Sequence, residues 1–133
     1  MANPNLQVSS SIYGNTAYVI PSTTSVSVAW TYNGTTSLTG LTPAANTVNK
    51  INSIIVSNVS GAAATITIGV SNNATYASGT PYYLAYQIAV PVGATLIVVD
   101  KTTPLYITDS QSVGVIVGTA SALNIVASFE VVT

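Results

Sequence analysis

After the first few residues, apolar and polar positions alternate with a period of two through nearly every segment, and the apolar ones are rich in Val, Ile and Tyr. A strand sends successive side chains to opposite faces, so this pattern describes half-buried β-strands. It predicts strands over residues 8–13, 16–20, 26–32, 48–56, 64–70, 82–90, 95–99, 105–107, 113–118 and 124–132, separated by clusters of Gly, Pro, Asn and Ser. No helical periodicity of useful length interrupts them. About eight to ten short strands, with a turn every ~8 to 12 residues, define an all-β chain. The expected architecture is a β-sandwich, a jelly roll or a related Greek-key form, with a closed barrel as the next choice.

Several connectors carry their own turn chemistry. Ser60-Gly61 is expected to turn the chain between two strands because Gly supplies positive φ without a steric cost. Pro91-Val92-Gly93-Ala94 separates two Val-rich strands in the same way. Asn33-Gly34 is a strong hairpin signal, but the sequence after it is a weak strand, so residues 33–46 read as a long exposed loop and residues 71–81 as a second. Near residues 43–48 a Thr- and Ser-rich stretch gives way to more apolar strands. The expected organisation is a single domain, with residues 1–47 as an arm or extra strands and residues 48–133 as the sandwich core.

Composition narrows the chemistry. Hydrophobic residues make up 48% of the 133, yet the only formal charges are two Lys and three acidic side chains, for a net charge of −1. An average soluble domain is roughly a quarter charged. Cys and His are both absent, which removes disulfides, thiolate nucleophiles, the commonest metal ligand and the commonest general base at neutral pH. Lys50 and Lys101 do not form the basic cluster that phosphate neutralisation demands, so no nucleic acid partner is expected. No apolar run approaches the roughly 18 residues of a membrane helix, and Met1-Ala2-Asn3-Pro4-Asn5 has no charged or apolar signal region, so neither a membrane nor export is expected.

The few chemical groups do not assemble into a reaction. Asp100-Lys101 reads as a hairpin turn that keeps a strand end soluble, with a ligand or ion-pair contact as the alternative. Asp109, within Thr108-Asp109-Ser110-Gln111-Ser112, reads as a turn cap, because calcium wants several carboxylates and none lies nearby in sequence. Alternation places Glu130 opposite the apolar face of the last strand. A serine triad cannot be built without His, and a Ser-Lys dyad would rest on Lys50 or Lys101 with no surrounding motif. No enzymatic activity, cofactor or metal is expected.

The aromatics say more. Tyr76, Tyr82, Tyr83 and Tyr86 gather around one predicted loop, and Trp30 and Tyr32 precede the other. Such residues suit interface anchoring or sugar stacking, since each joins a large apolar area to a polar tip. Alternation also puts Tyr82, Leu84 and Tyr86 on one face, which fits ordinary core and cross-strand packing. The interface candidates are therefore Trp30, Tyr32, Tyr76, Tyr82, Tyr83, Tyr86, Asp100 and Lys101.

Ile51-Asn52-Ser53-Ile54-Ile55-Val56-Ser57-Asn58, Tyr83-Leu84-Ala85-Tyr86-Gln87-Ile88-Ala89-Val90-Pro91 with Gly93, Thr95 and Leu96, Pro104-Leu105-Tyr106-Ile107 and Ser128-Phe129-Glu130-Val131 form a pattern. It resembles a family of small β-rich virion structural proteins of tailed bacteriophages, especially cyanophages. The chain departs from that family at Thr108-Asp109-Ser110, which stands where the family carries an acidic residue and a Gly before a strand. The resemblance implies a non-enzymatic virion component, foremost a capsid decoration or cement protein, with a neck or tail-associated protein as the alternative. It also implies a homo-oligomer, with a trimer favoured, made in the host cytoplasm and seated on the outer head surface against the major capsid protein or other virion proteins. A glycan-binding module of a tail fibre is the remaining reading.

Overall fold

The computed structural model describes residues 11–34 and 36–133. It is an all-β sandwich of ten strands. The larger sheet holds β1 (Ile12–Val19), β2 (Ala29–Tyr32), β3 (Thr36–Thr39), β4 (Val48–Asn58), β7 (Thr95–Val99), β8 (Leu105–Thr108) and β10 (Leu123–Val132). The smaller sheet runs β6 (Pro81–Val90), β5 (Ala64–Ser71), β9 (Ser112–Val117). The chain leaves the larger sheet after β4, returns at β7, leaves again for β9 and returns at β10. Every pairing among the strands is antiparallel.

Alternation drives the packing. On the facing sides of the two sheets, Ile54, Val56, Ile125 and Ala127 meet Ile66, Ile68, Val115 and Val117 in one buried cluster with Trp30 and Phe129. Ile51 and Ile54 are both fully buried although three residues apart, a spacing that a regular strand would split between its faces. A register shift between Ser128 and Phe129 leaves Asn52 as an extra residue on β4, and this bulge returns both isoleucines to the core.

The N-terminal segments are strands of the larger sheet. β1 pairs with β10 along its whole length, and β2 and β3 extend the sheet beyond it. The two strands expected over 8–13 and 16–20 are continuous from Ile12 to Val19; residues 8–10 lie outside the described residues. The expected loop over 33–46 is corrected. Asn33 and Gly34 both have positive φ, as the hairpin signal requires, and β3 follows because Leu38 faces Trp30 across the ladder and packs against the core. Leu41 is fully buried farther along.

The β4–β5 connection also differs in cause from the expectation. Gly61 is not among the residues with positive φ, whereas Gly93 is. Instead, Asn58 Oδ1 accepts from the Ser60 backbone N–H (2.9 Å) and hydroxyl (2.8 Å), and its Nδ2 donates to the Ala62 and Val90 carbonyls, both at 2.8 Å. One buried amide thus forms the turn and ties the end of β6 to β4.

Candidate interaction surface

Sheet register decides which tyrosines face outward. Gly69 on β5 pairs directly with Gly114 on β9, and both point away from the core because Ile68, Val113 and Val115 point into it. The missing side chains leave a trough. Residues 72–80 fold back over it, held by Ser112 Oγ donating to the Asn73 carbonyl (2.7 Å) and Ser71 Oγ donating to the Tyr76 carbonyl (3.1 Å). Tyr76, in the short 3-10 helix Tyr76–Ser78, lays its ring there: a Cβ on Gly114 would come within 2.7 Å of it, and one on Gly69 within 2.5 Å of its hydroxyl. Burial pushes the Tyr76 phenol above its ordinary pKa, and the neighbouring Tyr83 phenol adds to the shift. The expected exposed loop over 71–81 is therefore partly a cover for the smaller sheet. The paired strand glycines are the signal that could have announced it, since Gly inside a strand marks close approach of another group.

Tyr83 and Tyr86 stand beside this cover, their rings 4.9 Å apart and tilted by 54°. Register shifts between β5 and β6, with Gln87 at φ +48°, break the regular alternation of β6. Core packing of Tyr82, Leu84 and Tyr86 is therefore corrected. Tyr82, Tyr83 and Tyr86 are 62%, 47% and 58% exposed, with Leu84 and Ile88 exposed alongside them. All five lie on an edge strand that carries no charged residue.

The other interface candidates separate. Trp30 is 0% exposed, and its indole N–H reaches the Val113 carbonyl at 3.4 Å, so it is a core residue and not a surface anchor. Tyr32 is half-buried and packs edge-on against Phe129, with ring centroids 6.3 Å apart. Asp100 and Lys101 are exposed, but not on a hairpin. β7 and β8 both run antiparallel to β4, opposite its second and first halves, so they are one interrupted strand from which residues 100–104 loop outward. Asp100 Oδ1 accepts from the Thr102 hydroxyl (2.5 Å) and N–H (2.9 Å), bonds that hold its carboxyl below the usual value.

The remaining carboxylates are dispersed. Asp109 Oδ2 accepts the Asn46 N–H at 3.0 Å and joins the β3–β4 connector to the β8–β9 turn. Glu130 sits opposite Lys50 in the β10–β4 ladder. Among the described residues no three His, Cys, Asp or Glu side chains gather as metal ligands. A cavity of about 520 Å³ opens on the inner side of the larger sheet, where Tyr13, Tyr32, Phe129, Asn15 and Asn49 are among its lining residues. Asn49 Nδ2 is occupied by the Leu41 carbonyl at 2.8 Å. The described lining offers amides, hydroxyls and aromatic rings but no ionisable acid or base in the neutral range.

A second apolar feature crosses the outer face of the larger sheet. Tyr18, Val126, Ile55 and Ile97 occupy successive register positions on β1, β10, β4 and β7, and Ile97 is 60% exposed. Comparison with protein-family models, curated proteins and solved structures gives no match to this chain.

Proposed function

We propose that the protein is a non-enzymatic virion structural protein of a tailed bacteriophage, a capsid decoration or cement protein that stabilises the head through protein contacts. The observation that carries this reading is the uncharged, tyrosine-rich edge strand β6, whose large side chains remain in solvent. Such a surface associates without desolvating charge, the expensive component of an interface. The resemblance of residues 51–132 to small virion proteins supplies the setting, and repetition over a capsid lattice adds avidity to modest single contacts. Its partners are then the major capsid protein and further copies of itself.

Quantitative mass spectrometry of purified particles tests this. On the order of hundreds of copies per particle is the expected result for a lattice component, whereas about six or twelve would move the protein to a neck or tail ring. Absence from particles overturns the reading. The exposed Tyr83–Tyr86 pair favours one second reading, a glycan-binding module, because adjacent aromatic faces suit a sugar ring. Binding of the isolated protein to host lipopolysaccharide, lost in Tyr83→Ala, would select it.

A further inference from the structure

We infer that a second copy of this chain covers the flank formed by the free edges of β6 and β7. The inference rests on the reading of the protein as an assembly-forming structural component, and it names the surface through which copies meet. β6 ends the smaller sheet and β7 ends the larger one, and residues 91–94 join them, so the two open edges meet at that turn. Neither strand holds a charged residue.

An exposed edge strand presents unpaired backbone groups, and proteins blunt such edges with charges, short strands or bulges. Against this β6 has a bulge near Gln87 and a proline, Pro81, at its first position; it spans 10 residues and is uncharged. Its exposed Tyr82, Tyr83, Leu84, Tyr86 and Ile88, spread over both faces of the strand, together offer on the order of 500 Å² of side-chain surface that a partner strand along this edge would cover from both sides, against the ~800 Å² that each partner contributes to a stable interface. Exposed Ile97 on β7 and Val92 in the turn extend it. A second copy fits because juxtaposing two such flanks brings no like charges together on either strand. The single charges of each sign at Asp100 and Lys101 lie beyond the end of β7, where a polar rim belongs.

Sedimentation equilibrium of the full chain over about 1 to 100 µM, the range of weak to moderate association, should give a mass that rises with concentration above the 13.5 kDa of one chain. The double variant Leu84→Lys, Tyr86→Lys should weaken association about 100-fold or more, because it would bury unpaired charge. Val126→Lys, on the outer face of the larger sheet, should leave it unchanged. Amide hydrogen exchange of the unaltered protein decides independently of whether the lysine variant folds: protection of residues 82–90 should rise with concentration. A chain that stays monomeric, or an oligomer whose β6 amides exchange at the same rate at every concentration, overturns the inference. Particle composition separates the two readings. A virion protein that is monomeric in solution overturns the flank contact alone, and a self-associating chain absent from particles overturns the virion role alone.

Discussion

The two edges of the smaller sheet are treated in opposite ways. Along β9, Ser27 and Val115 exchange backbone hydrogen bonds (2.8 and 3.0 Å), the Val113 N–H donates to the Gly40 carbonyl (2.7 Å), and the Trp30 indole reaches the Val113 carbonyl. The connectors around β2 and β3 thus close that edge and bury it. Along β6 no other strand pairs among the described residues, and the side chains that a partner strand or covering loop would shelter are tyrosines, Leu84 and Ile88 in solvent. The difference shows that this fold can cover an edge with its own chain.

That contrast can be broken from the closed side first. Trp30→Ala should cost about 3–5 kcal/mol, from the cavity and the lost cover over Val113, read as a lower midpoint in urea unfolding. Gly40→Ala should cost about 2 kcal/mol or more, because Gly40 has φ +64° and a Cβ there would lie 2.6 Å from Ser112 Cβ. Asn58→Ala should cost about 1–3 kcal/mol by leaving the buried Val90 carbonyl without its partner, and hydrogen exchange should show faster opening where β6 meets the turn.

On the open side the balance reverses. Leu84→Lys or Tyr86→Lys should shift monomer stability by no more than about 0.5 kcal/mol in the same unfolding measurement. A loss as large as that of Trp30→Ala would mean that β6 is internal structure and not a free surface. The smallest effect belongs to Asp100. Its carboxyl is held below its ordinary value of 3.8 by Thr102 and Thr103, so its contribution is present above that value and is lost as the pH falls through the lower folded value. Asp100→Asn should remove a slight acid dependence of stability and leave the neutral-pH midpoint and self-association unchanged.

Much of the fold was legible because strand alternation reports burial directly: β5, β9 and β10 follow the expected boundaries closely. Legibility failed where one residue changed the register. The extra Asn52 makes Ile51 and Ile54 share a face, and the irregular backbone near Gln87 brings Tyr83 beside Tyr86 in place of the Tyr82, Leu84, Tyr86 row. Trp30 was equally ambiguous by pattern, since a large aromatic before a turn suits a core as well as an interface. Its place was settled by β9, some 83 residues away in sequence.

The sequence by itself determined a charge-poor, all-β chain, since period-two patterning and the scarcity of charged groups are properties of composition and order. Only the tertiary structure decided which apolar residues are spent on the core. β-strand pairing is non-local: Ser27 and Gly40 close one edge through contacts with β9, and Gly69 and Gly114 seat Tyr76 across two strands. No local pattern encodes which edge the chain leaves open.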